Sequence, residues 1–87
     1  MIFHVSYELS NANREAAQNR FKETGGLPPE GIEMIGRWHS AGGLRGFVLA
    51  ETSDAVAIAS WLQDWTDLLT FEVTPVLDDD QMMGVMS

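Results

Sequence analysis

Residues Glu51–Leu77, ETSDAVAIASWLQDWTDLLTFEVTPVL, decide how this chain folds. Thr52 or Ser53 is placed to cap a helix, and Asp54 falls in its first turn, where the dipole favours a negative charge. Ile58, Trp61, Leu62 and Trp65 recur at i, i+3, i+4 and i+7, an apolar stripe that must face a core. Asp64 and Asp67 oppose the dipole at the far end, so they are expected to point to water or bond the turn. From Leu69 to Leu77 the period drops to two, with Phe71, Val73 and Pro75 alternating against Glu72, Thr74 and Val76. That is a strand. Pro75 has no N–H to give a ladder, which assigns the strand to a sheet edge.

Upstream, the hairpin that feeds this helix is legible from its turn. Ala41-Gly42-Gly43 separates Ile32–Ser40 from Leu44–Glu51, and so short a connection makes the two strands antiparallel. Strict alternation puts Ile32, Met34, Gly36 and Trp38 on one face, and Glu33, Ile35, Arg37 and His39 on the other. At the N-terminus Phe3, Val5, Tyr7 and Leu9 alternate with His4, Ser6 and Glu8, a half-buried strand. Ser10, Asn11 and Asn13 are cap-type residues, and a helix with a narrow stripe of Ala17 and Phe21 runs from about Asn11 to Thr24. Gly25-Gly26 offers a left-handed stop and Pro28-Pro29 forbids continuation. The order is β-α-β-β-α-β. Right-handed crossovers then give an α+β fold, a four-stranded antiparallel sheet in the order 4-1-3-2 with both helices on one face. Residues 1–77 form this single domain. Residues 78–87, three acids followed by Met82, Met83, Val85 and Met86, are expected to fray as a tail or to lie on a partner chain.

Composition removes several functions. Eighty-seven residues make one domain with a thin core. Thirteen acidic against five basic side chains leave a net charge of -8, which repels phosphate backbones and anionic lipid. Nucleic acid and membrane surfaces are therefore not expected partners. With no cysteine there is no disulfide, thiolate metal site or thiol nucleophile, which fits a reducing cytoplasm. The N-terminus lacks the pattern of a signal peptide, and no apolar run approaches the ~20 residues of a membrane span.

Several features resemble a known family. GFVLAET at Gly46–Thr52, Trp61-x-x-x-Trp65-x-Asp67-Leu68, and Phe71-Glu72-Val73-x-Pro75-Val76 are similar to a small bacterial and phage family of unknown function. That family lies within the dimeric α/β-barrel superfamily of ferredoxin-like domains. Phe21, the Gly-x-x-Pro-x-Gly loop at Gly26–Gly31 and Trp38 match more loosely. The resemblance implies a homodimer in which two helix-free sheet faces meet around a barrel-like interior. It also implies relatives as varied as cofactor-free monooxygenases, heme-degrading enzymes and muconolactone isomerases, none of whose motifs can be laid on these residues. Quite apart from it, a sheet with helices on one side leaves a bare face, and a contiguous apolar patch of several hundred Å2 is unusual on a monomer, which argues for pairing.

The candidates for chemistry are few, and each has a plainer reading. His4 would point into a face-to-face dimer as a proton acceptor or ligand, or be a hydrogen-bonded interface histidine. Arg37, Trp38 and His39 offer a carboxylate fork, a stacking wall and a titratable proton. Alternation separates Trp38 from the other two unless a bulge intervenes. Arg37 and His39 are otherwise solvated, or paired with Glu33 or Glu51. Glu51 is a possible general base, or closes the helix start, or pairs with Arg45 or Arg37. Tyr7 is expected to be a core aromatic with its hydroxyl at a rim. No H-x-x-x-H or H-E-x-x-H spacing exists, heme would have only His4 or His39 as an axial ligand, and Asp78–Asp80 lacks the spacing of a calcium loop. No metal and no cofactor is expected. Two functions stay open: a small homodimeric protein binding a small, partly apolar molecule, with cofactor-independent monooxygenase- or isomerase-like chemistry at most, or a non-catalytic dimerisation module with a packed interior. Whether the protein is an enzyme is not settled by its residues. A cavity of ~300 Å3 or more, lined by one of the polar candidates, distinguishes the two.

Overall fold

The computed structural model describes all of residues 1–87. Strand β1 (Ile2–Glu8) leads through a short 3-10 turn at Asn11–Asn13 into helix α1 (Arg14–Thr24). Strands β2 (Glu33–His39) and β3 (Arg45–Glu51) form the hairpin, α2 (Ala55–Gln63) follows, and β4 (Thr70–Val76) returns. The sheet is antiparallel throughout in the order β2-β3-β1-β4, which from the β4 edge reads 4-1-3-2. Pro75 thus lies on an edge strand, as its missing N–H demands.

Both helices cover one face. Register sets Phe3 beside Ala50 and Val5 beside Val48, and these four side chains are buried with Ile58, Trp61 and Leu62 of α2. Burying each large side chain contributes roughly 1.5–3 kcal/mol, so the stripe on α2 supplies much of the drive to fold. Ala17 is the buried residue of α1, on the same side. Helix α1 stops as its glycines require: Gly25 adopts φ +72° and its N–H donates to the Phe21 carbonyl. The cap of α2 differs from expectation. Asp54, not Thr52 or Ser53, is the N-cap, its carboxylate accepting from the Val56 N–H at 2.9 Å. Thr52 is buried, and its hydroxyl accepts from the Asp54 N–H instead. Helix α2 also ends at Gln63, leaving Trp65 in the turn that leads to β4.

Two further departures matter. The first concerns residues 78–87: Asp79–Met86 is a third helix, α3, begun by a reciprocal capping box between Asp78 and Gln81. Local capping suffices to start a helix here, although every residue of α3 is exposed. The second is a β-bulge in β2. Met34 pairs with Ala50 and Gly36 with Leu49, so Ile35 is an extra residue and the alternation flips beyond it. Arg37 and His39 therefore face the helices, whereas Trp38 faces the bare side of the sheet.

Candidate functional site

A cleft of about 320 Å3 opens between the two helices and the sheet. Its walls are aromatic and aliphatic, with Phe21 from α1, Trp61 from α2, Trp65 from the turn and Phe71 from β4. The polar groups come from the sheet. Tyr7 on β1 and His39 on β2 both flank Gly46 of the intervening β3. A Cβ built on Gly46 would sit 2.6 Å from Tyr7 Cζ and 2.6 Å from the Trp38 carbonyl oxygen. The missing side chain is thus the space in which the Tyr7 ring lies as it crosses β3. In that space the Tyr7 hydroxyl comes within 2.6 Å of His39 Nδ1, the imidazole tautomer deciding which of the two holds the hydrogen.

Arg37 is fixed from two sides. Its terminal nitrogens donate to the Gly26 and Gly25 carbonyls at 2.6 and 2.8 Å, at the negative end of the α1 dipole. Its guanidinium carbon lies 4.8 Å from the centre of the Phe21 ring, and that ring also meets His39 edge-on at 5.5 Å. Burial pushes the Tyr7 phenol up, with Arg37 pulling the other way. Partial burial lowers His39, and the Arg37 charge lowers it further. Burial also lowers Arg37 itself, opposed by Tyr7. At neutral pH the trio is therefore a neutral phenol, a neutral imidazole and one cation.

The remaining candidates lie elsewhere. His4 is on the bare face of the sheet, stacked on Phe47 at 5.1 Å, and Phe47 stacks on Trp38 at 5.2 Å. Trp38 is 51% exposed there and lies outside the core of its own chain. Glu51 is five residues along β3 from Gly46, or about 17 Å, so it has no part in the cleft. Arg45 pairs with Glu8 at 3.4 Å, not with Glu51, and Arg37 pairs with no carboxylate. Asp67, expected at water or the turn, takes both terminal nitrogens of Arg20 at 2.8 Å, while the same Arg20 lies 5.4 Å from the Trp65 ring centre. That hydrogen-bonded pairing holds Asp67 below the usual carboxylate range. It ties α1 to the turn beside the cleft.

No group of three or more His, Cys, Asp or Glu residues is placed to hold a metal ion. No helix is long and apolar enough to cross a membrane. Phe21 as the ring against Arg37 and His39, and Gly46 as the gap for Tyr7, were missed by sequence reasoning. The one available signal for the bulge was Gly36, since a glycine inside a strand pattern marks such irregularities.

Fold and cleft together define a small α+β domain, one four-stranded antiparallel sheet with an apolar hollow under its helices and a tyrosine–histidine–arginine set at the mouth. By sequence the whole chain, residues 1–87, matches the model of the family described as Domain of unknown function (DUF3303), and it belongs to that family. Comparison with curated proteins and with solved structures found no match.

Proposed function

We propose that the protein binds a small, partly apolar molecule in the cleft between its helices and its sheet, with Tyr7, His39 and Arg37 meeting the polar end. The observation that carries this is the cleft itself, about 320 Å3 and lined by those three groups, against the ~300 Å3 at which ligand sites begin. The chemistry on offer is modest. A neutral imidazole hydrogen-bonded to a phenol is able to take a proton from a bound molecule and return it, the step on which an isomerase-like or cofactor-independent oxygenase reaction draws.

The fold is best read as ferredoxin-like, with α3 added after β4. The bare sheet face supports a homodimer of the dimeric α/β-barrel type, since Phe47, Trp38 and Ile35 stand exposed, with the half-buried His4 stacked on Phe47. That stripe also favours the second reading, a non-catalytic dimerisation module working in the cytoplasm. The unfilled cleft weighs against it. Native mass spectrometry of the purified protein tests both parts together. A dimer retaining a small molecule is the expected result, a bare dimer supports the module, and a bare monomer sinks the homodimer and leaves the cleft without an occupant.

A further inference from the structure

The chain carries 13 acidic residues, yet none of the 17 residues lining the cleft is acidic. Two are cations: the half-buried Arg37 and the exposed Lys22. The chain has two carboxylate ion pairs, Arg20–Asp67 and Arg45–Glu8, and Arg37 is in neither. Its hydrogen-bonded compensation is a pair of carbonyls at the end of α1, worth about half an elementary charge by the helix dipole, with the face of Phe21 beside it. Those two bonds use one hydrogen from each terminal nitrogen, leaving Nε–H and the second hydrogens without a protein acceptor. A half-buried guanidinium in apolar surroundings is costly to leave without an anion, and the charge distribution of this acidic chain keeps every anion of its own away.

From this we infer that the ligand of the cleft is a small monocarboxylate with a flat aromatic body, its carboxylate at Arg37 beside the Tyr7–His39 pair and its ring among Phe21, Trp61, Trp65 and Phe71. The inference rests on the binding reading above and names the class of molecule bound. A carboxylate matches the planar fork of a guanidinium, and its other oxygen is within the reach of a phenol donor. A phosphate brings close to two charges and usually sits on a cradle of backbone N–H groups, whereas the N–H groups of the lining glycines Gly26 and Gly43 are taken by Thr24 and Ser40. The aromatic walls ask for a π-face and not an alkyl chain, because ring pairs gain about 0.5–1.5 kcal/mol beyond the area they bury.

Isothermal titration with 2-naphthoate and with its uncharged counterpart 2-naphthalenemethanol tests this, on the full chain and on Arg37→Gln and Arg37→Lys. In the wild type the acid is expected to bind at least ten-fold more tightly than the alcohol. Arg37→Gln should bring the ratio to about one, and Arg37→Lys should retain part of it. Equal affinities for acid and alcohol in the wild type, or a preference that persists in Arg37→Gln, overturn the anion assignment while leaving a binding cleft in place. Binding of neither compound removes the cleft reading along with it. Circular dichroism shows whether Arg37→Gln folds; should it not, the acid-to-alcohol ratio of the wild type, and its decline on adding salt, decide the matter alone.

Discussion

Replacing Gly46 by alanine puts a methyl group where the Tyr7 ring lies. The built Cβ stands 2.6 Å from Tyr7 Cζ and 2.6 Å from the Trp38 carbonyl oxygen, and it also overlaps Tyr7 Cε2. Neither neighbour yields cheaply, one being an aromatic ring wedged between strands and the other backbone of the adjacent β2. Overpacking of this kind costs about 1–3 kcal/mol. Moving the ring also breaks its bond to His39, at roughly 0.5–1.5 kcal/mol, while the stiffer unfolded chain returns about 0.4–1 kcal/mol. The net loss is about 0.5–4 kcal/mol, centred near 2. For a domain of this size each kcal/mol lowers the melting temperature by roughly 4–8 °C, so the central value corresponds to a drop of about 8–16 °C. Gly42→Ala is the control, because nothing lies within 4 Å of its built Cβ and its φ is not in the left-handed region. It should melt within a few degrees of the wild type. Thermal unfolding by circular dichroism gives the stability, and the imidazole nitrogen chemical shifts of His39 report whether the Tyr7 contact survives. A Gly46→Ala protein that melts with the wild type and keeps those shifts would show that the space over β3 is not what sets the Tyr7–His39 pair.

Three other outcomes follow from the geometry. His39 is held below its ordinary value of 6.5, so between that value and its folded one the unfolded chain binds the extra proton. Stability therefore falls as pH drops from about 6.5, and His39→Gln should flatten the wild-type decline in melting temperature between about pH 7 and 5.5; an unchanged slope refutes the assignment. Asp67, lowered from 3.8, loses its own contribution only at more acid pH, so an Asp67→Asn variant, lacking the Arg20 pair at every pH above that, should keep the wild-type slope through the His39 window with at most a constant offset. Asp54→Ala removes the side-chain cap of α2 and should cost about 0.5–2 kcal/mol in urea unfolding, with no change in m-value. Truncation after Leu77 removes a helix with no buried residue and should leave the stability of a monomeric preparation within about 0.5 kcal/mol. A larger loss in dilute solution would mean that α3 supports the domain in a way its exposure does not suggest.

Much of the architecture was written in local pattern. The Ile58–Trp61–Leu62 stripe, the proline in β4 and the double glycine after α1 each constrain the chain through near-neighbour physics, a helical period, a missing donor and a steric licence for positive φ. These fixed the elements and, with the handedness of crossovers, the side of the sheet on which the helices lie. The third helix escaped notice because methionines after three aspartates look like a frayed end. The Asp78–Gln81 capping box was nevertheless present in the residues themselves.

The cleft was beyond the reach of pattern. Arg37, Trp38 and His39 could be named as chemistry-bearing, but a single extra residue at Ile35 decides which of them meets the helices. Alternation carries no information about such an insertion, because a bulge is stabilised by what packs on either side of it. Tyr7 and His39 are 32 residues apart and meet only because Gly46 leaves a gap between them. Arg37 takes the carbonyls of Gly25 and Gly26 through a contact between elements that sequence leaves independent. Residue order thus determined the strands, the helices and their layering, since those obey rules of a few residues' range. Which polar groups share a site was decided by tertiary packing alone, where contacts across strands override both spacing and propensity.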